Sequence, residues 1–263
     1  MATTSVVSSI TRFGTIEPWD VQVARNQITQ HQYVFVFGQA PTVTTQQSVW
    51  ATTGTYAYLA SASALQISSG SANDAAAGSG ARTVYIGGLD ANYNAISETV
   101  ILNGQTQVAT TQSFLRVNDF YVLTAGSGNT QAGIIYAGTG AATAGVPATV
   151  YSLMPVGYNA QTQGIYTVPA GYTAYISSYT FTSNNTTANT ICSGLLFVYK
   201  YGSAFPIVEA TARFNAGNIF DRHFDYPLQI AEKTDLELRV SAGATGQMTG
   251  EMHILLIKNN GQG

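Results

Sequence analysis

The densest set of chemistry-bearing side chains in this sequence is Asp221-Arg222-His223-Phe224-Asp225. On a strand, alternation puts Asp221, His223 and Asp225 on one face and Arg222 and Phe224 on the other. Two carboxylates and an imidazole on one face are a ligand set for a divalent cation. Zinc and manganese sites, however, take ligands that converge from several elements, and no complementary motif stands elsewhere in the chain. The expectation is therefore a polar edge strand whose Asp and His side chains hydrogen-bond a neighbouring strand or subunit. No catalytic, cofactor-binding or metal-ligating residue is assigned. His31 and His253 are isolated in sequence and supply no spacing motif.

Other catalytic patterns fare no better. A Gly-x-Ser-x-Gly nucleophile elbow does not occur. Gly78-Ser79-Gly80 and Gly126-Ser127-Gly128 read as loop glycines, because no helix start and no Lys-Ser/Thr follows to cradle a phosphate. Asn184-Asn185-Thr186-Thr187 carries glycosylation sequons but reads as an exposed turn. Asp90 and Glu98 flank an expected hairpin, with Arg82 placed to pair across it; such an exposed pair contributes ~0 to 1 kcal/mol. A glycan-cleaving site would need two carboxylates about 5 to 9.5 Å apart in a cleft, and Phe120 to Tyr199 can offer none. The loop aromatics Tyr93, Tyr158 and Tyr201 are the residues a host-surface or glycan-binding adhesin would use, against the ordinary role of tyrosine as strand-face and interface packing.

That uncharged stretch, Phe120 to Tyr199, runs eighty residues without Asp, Glu, Lys or Arg, and only 9% of the chain is charged. An ordinary soluble domain carries about a quarter. Thr, Ser, Asn, Gln, Gly and sixteen tyrosines fill the gap. Such side chains bond water or a neighbouring subunit without the desolvation cost of an ion. The surface suits burial against other protein. A net charge of −3 without a basic cluster argues against nucleic acid as a partner. No window approaches the ~18 to 20 consecutive apolar residues of a spanning helix, and Met1 to Ile10 has no basic and apolar signal pattern, so a soluble, non-secreted chain is expected. Cys192, the only cysteine, reads as a small buried hydrophobe.

The elements that would position these residues are strands. Period-two, β-branched runs recur at Tyr33 to Phe37, Ala57 to Leu59, Thr83 to Ile86, Ile96 to Leu102, Phe114 to Leu123, Gly133 to Tyr136, Gly164 to Val168, Tyr172 to Phe181, Gly194 to Tyr201, Leu236 to Val240 and Met252 to Lys258. Gly, Pro, Asn and Ser punctuate them, with Asn103-Gly104 as a tight-turn signal. The pattern predicts an all-β protein of two tandem β-sandwich, jelly-roll-like domains with an extended N-terminal arm. Residues 1–40 are the expected arm and lead-in strand, 41–145 the first sandwich and 146–263 the second. The boundary falls on Ala137 to Gly145, the most linker-like stretch. One weak helix signal lies near Asp20 to Gln30, equally compatible with strand.

Three segments carry a resemblance. Gly80-Ala81-Arg82-Thr83-Val84-Tyr85-Ile86-Gly87-Gly88-Leu89-Asp90-Ala91-Asn92-Tyr93-Asn94, continuing to Leu102-Asn103-Gly104, resembles a β-rich module of tailed-bacteriophage virion proteins. Tyr166-Thr167-Val168-Pro169-Ala170-Gly171 with Ala174-Tyr175-Ile176 resembles the opening strand of a jelly-roll-like domain in such proteins, and Glu232-Lys233-Thr234-Asp235-Leu236-Glu237-Leu238-Arg239 a later strand. At Tyr172 similar proteins would carry a Lys able to form a salt link at that corner. The resemblance implies a virion structural protein assembled in the bacterial cytoplasm. The expected role is a non-enzymatic capsid decoration or cement protein, a homotrimer bound to the major capsid protein or other virion proteins. A tail or fibre component, or an adhesin, is the alternative.

Overall fold

The computed structural model describes residues 11–12, 15–184, 187 and 190–259, with eighteen strands and one helix among them. Strands β1 (Thr11–Arg12) and β2 (Thr15–Ile16) pair as a short hairpin. Helix α1 (Trp19–Ala24) follows Pro18, whose fixed φ suits a helix start. This fulfils the helical half of the ambiguous reading near Asp20. Val23 and Ile28 are buried, and Lys258 N–H donates to Gln30 C=O. Residues 17–30 are thus docked on the body, where an extended arm was expected; Met1 to Ile10 lie outside the described residues.

Strands β3 (His31–Val43), β4 (Gln47–Ser48), β12 (Ile165–Thr167), β13 (Tyr172–Ser183), β14 (Ile191–Tyr199), β15 (Ile207–Asn215), β16 (Ile219–Ile230), β17 (Asp235–Ala242) and β18 (Gly246–Lys258) build one sandwich. Its sheets have the orders β16-β13-β18-β3 and β12-β17-β14-β15, with β4 also on β17. Two four-stranded sheets in which the first strand lies beside the last are the double Greek key of a jelly roll. Tyr179, Phe181, Leu196, Leu238, Met252 and Ile254 fill the space between them. Gly194 and Gly250 both face Phe181, where an added Cβ would meet the ring at 2.3 and 3.0 Å.

Strands β5 (Ser63–Ser69), β6 (Ala81–Leu89), β7 (Ala95–Ile101), β8 (Val108–Phe114), β9 (Arg116–Ala125), β10 (Ile135–Thr139) and β11 (Thr149–Met154) build the other sandwich. Its sheets are β11-β10-β5-β8 and β7-β6-β9, over a core that includes Leu65, Ile86, Phe114, Phe120 and Met154. The expected single strand Phe114 to Leu123 breaks at Leu115, where the chain leaves one sheet and joins the other. Ala57 to Leu59, also expected as strand, is a connection.

This seven-stranded sandwich sits in sequence between β4 and β12 of the jelly roll. The bodies are nested, and two expected boundaries move. Residues 31–40 belong to the second body, because β3 pairs with β18 along its length. The glycine-rich stretch from Ala137 to Gly145 is no linker: β10 and β11 pair across it. Its glycines permit close packing, since a Cβ on Gly138 would stand 2.2 Å from Thr149 O and one on Gly145 1.9 Å from Ser69 O. The two chain crossings run side by side, with Val49 N–H bonded to Leu238 C=O and Gly164 N–H to Val49 C=O.

Candidate functional site

Ionic chemistry concentrates where the two bodies meet. Strand β17 turns Leu236, Leu238 and Val240 into the jelly-roll core and Asp235, Glu237 and Arg239 to its other face. Arg116, at the start of β9, grips Asp235 with two parallel bonds, Nε to Oδ1 at 2.8 Å and Nη2 to Oδ2 at 2.9 Å. Thr167 Oγ1 donates to the same Oδ1, while Arg116 Nη1 donates to the carbonyls of Leu59 and Leu115. Next along the strand, Glu237 accepts from Ser48 Oγ and Arg239 Nε on Oε1 and from Arg239 Nη2 on Oε2. Arg239 Nη2 also donates to the Tyr199 hydroxyl. Burial works against the charge of Arg116, yet the paired Asp235 outweighs it and leaves the guanidinium pKa above its ordinary value.

An aromatic cluster closes over the seam. Trp50, Tyr56, Tyr58 and Tyr199 touch in sequence at centroid separations of 5.1, 4.9 and 5.5 Å. The Arg116 guanidinium lies 4.8 Å from the Tyr58 ring centre, cation over π face. Burial pushes the Tyr56 and Tyr58 phenols well up. It also pushes Tyr199 up to about 12, with the nearby Glu237 adding to the effect. Asp235 and Glu237 sit two apart on one strand face, as catalytic carboxylate pairs can, but all four of their oxygens receive hydrogen bonds. The arrangement is a cross-link between bodies.

The residues singled out in the sequence are scattered. Asp221 and His223 do share a face, with Nε2 3.2 Å from Oδ2, and Thr180 Oγ1 donates to Asp221 as expected of a polar strand. Asp225 falls in a bulge: the register on β13 passes from His223 opposite Ser178 to Leu228 opposite Ile176. Among the described residues no group of three or more His, Cys, Asp or Glu is placed to hold a metal ion. Arg82 does not pair with Asp90 or Glu98. Its Nε donates to Gly78 C=O, Asp90 accepts the Asn92 and Asn94 N–H groups of its own turn, and Glu98 accepts those of Thr111 and Gln112. Backbone amides of the Asp90 turn and of strand β8 take up the two carboxylates. Cys192 is buried, as expected. At the Tyr172 corner, Glu232 bonds the Gly171 N–H, so a carboxylate closes on backbone where a salt link was in question. Of the sequons, Asn184 binds Gln247 and Asn185 and Thr186 lie outside the described residues.

Sequence reasoning missed Asp74. This buried side chain takes the hydroxyl of Ser69 and the N–H groups of Ala81, Ala132 and Gly133, tying three loops together. The flanking Ser69, Ser71 and Asn73 signal a turn, but the distant partners have no local trace.

Strand β3 is the feature most open to a partner. Gln30 and Lys258 form a hydrogen-bonded pair, and Gln39 N–H donates away from β18 to Thr162 C=O. Alternation then aims the N–H and C=O groups of Tyr33, Phe35 and Phe37 away from β18. Among the described residues they have no backbone partner. Their side chains lie on the outer face, where Phe35 is 58% exposed against His253, and Trp19 meets His31 and Tyr33 edge-on. Both histidines that look isolated in sequence join this aromatic face. Beside the edge a groove of about 290 Å³ runs between Val34–Phe37 and Asn118–Tyr121, floored by Tyr166.

No protein-family model matches the sequence, and no curated protein matches it. Among solved structures, the chain overlays loosely on a chain from the structure of infectious bursal disease virus Gx strain, at 8% identity and a TM-score of 0.24, covering 89% of this chain and 73% of that one. A chain from the Gt strain gives 10% identity and a TM-score of 0.21, covering 88% and 72%. Overlays this loose transfer neither fold nor role.

Proposed function

We propose that the chain is a non-enzymatic structural protein of a virus particle, of tailed-phage type, that self-associates and decorates the head by bridging neighbouring capsid subunits. The observation that carries this reading is the open, aromatic edge of β3 on a molecule poor in surface charge. An exposed hydrophobic edge strand is a template for pairing with another chain. Burying Asp74, Arg116, Asp235 and Glu237 leaves the surface poorer in charge than the composition alone implies. Arg116 and Asp235 tie the two sandwiches together, and a surface with few long charged side chains has less side-chain freedom to lose on docking. Jelly rolls serve in viral capsids and in lectins alike, which is support by analogy of fold only. The trimeric state rests on the sequence resemblance, and the head location on a surface poor in charge that can be buried against capsid subunits at little desolvation cost.

Labelling of intact phage particles with antibody to the chain tests this. Label distributed over heads is expected. Label confined to tails would transfer the protein to the tail or fibre reading, and particles without the chain would end the virion reading.

A further inference from the structure

At the end of the jelly roll, β13 to β16 and the loops that follow β14 and β16 line a half-open cavity of about 540 Å³, within the range of about 300 to 1,000 Å³ usual for small-ligand sites. We propose that this cavity binds a neutral pyranose, a hexose or N-acetylhexosamine, with Tyr201 as its aromatic wall and Gln229 as its main polar contact. The inference stands apart from the assembly reading.

Its floor is Ile230, backed by the fully buried core residue Val198. Its wall is Tyr201, 64% exposed yet held in place. Tyr93 meets the Tyr201 ring edge-on at 5.5 Å, and Lys233 Nζ lies 5.2 Å from its centre. Tyr93 is itself fixed, at φ 66° in the turn that Asp90 closes, and its C=O accepts the Ala170 N–H of the other body. The wall is therefore preorganised, which lowers the ordering cost of binding.

Around the rim, donors and acceptors alternate. Thr173 Oγ1 donates to Asn259 Oδ1, which directs the amide N–H groups of Asn259 outward. Gly171 N–H occupies Glu232 Oε2 and leaves Oε1 to accept. Lys200 stands 3.9 Å from Glu209, loosely enough that both keep bonding capacity. The Gln229 amide has no partner among the described residues. A pyranose has one apolar C–H face, which packs on an aromatic ring, and rim hydroxyls that each donate and accept. That pattern matches the cavity. Two carboxylates disfavour an anion, Lys200 disfavours a simple cation, and the polar rim disfavours an apolar ligand.

Saturation-transfer NMR on the full chain with glucose, galactose, mannose and N-acetylglucosamine tests the site. Transfer to at least one sugar is expected, lost in Tyr201→Ala and in Gln229→Ala and retained in Tyr226→Ala, an exposed tyrosine outside the cavity lining. Circular dichroism and light scattering, unchanged in the Tyr201 variant, separate loss of the site from loss of fold or of assembly. Absence of transfer from all four sugars, or equal transfer in Tyr201→Ala, overturns the proposal.

Discussion

Arg116 and Asp235, 119 positions apart in sequence, form a two-pronged ion pair that joins the seven-stranded sandwich to the jelly roll. Both side chains are about nine-tenths buried, so the pair must be judged by what its loss leaves behind. Removing one partner strands a desolvated charge, at about 3–5 kcal/mol, whereas replacing both with apolar residues is far milder. Denaturant unfolding of Arg116→Met, Asp235→Leu and the double variant should show severe loss in each single and partial recovery in the double. Single variants that lose no more than an exposed pair would, under about 1 kcal/mol, would refute the cross-link.

Glycine at position 88 is dictated by the strand opposite. A Cβ there would stand 1.9 Å from Arg116 C=O, so backbone on β6 or β9 has to move. Gly88→Ala should cost about 3 kcal/mol or more. Gly70, whose added Cβ would meet nothing nearer than 3.8 Å, provides the comparison, and Gly70→Ala should change the thermal midpoint little. Equal midpoints for the two variants would contradict the packing.

Alkaline pH should unfold the protein through its tyrosines. Burial raises the Tyr199 pKa to about 12 and those of Tyr56, Tyr58 and Tyr166 further. In the unfolded chain these phenols ionise near 10. Above that pH the unfolded state holds fewer protons than the folded one, so stability falls as pH rises. Below pH 10 the groups contribute no slope. A fraction of the tyrosinate absorbance should therefore appear only in a cooperative step together with loss of ellipticity. Ionisation of all sixteen tyrosines with the fold intact would show that these rings are not sealed.

Self-association through the β3 edge should be sensitive to Phe35 and insensitive to salt. A charge on an edge strand opposes pairing, and screening acts on ion pairs that this face lacks. Light scattering of Phe35→Lys should show a smaller species with an unchanged circular dichroism spectrum. A parent protein that is monomeric at micromolar concentration, or that dissociates on modest addition of salt, would remove the edge as an assembly surface.

The all-β character was legible because period-two patterning is local. Tyr172 to Phe181 announces β13 by alternation and β-branching alone, and Asn103-Gly104 announces its turn. Tertiary structure decided what lies against each strand. In Asp235-Leu236-Glu237-Leu238-Arg239 the sequence specifies one apolar and one charged face, and by itself such a strand belongs at a solvated surface. Only the seven-stranded sandwich, delivering Arg116, together with the Tyr56–Tyr58 connection, makes the charged face an interior one. The glycines of Ala137 to Gly145 likewise carry no local sign of whether they free the chain or let backbones touch. Sheet order, with β3 beside β18, depends on contacts across more than two hundred residues. Local propensity fixes which residues extend, while burial of the complementary faces fixes their neighbours, and that information is spread over the whole chain.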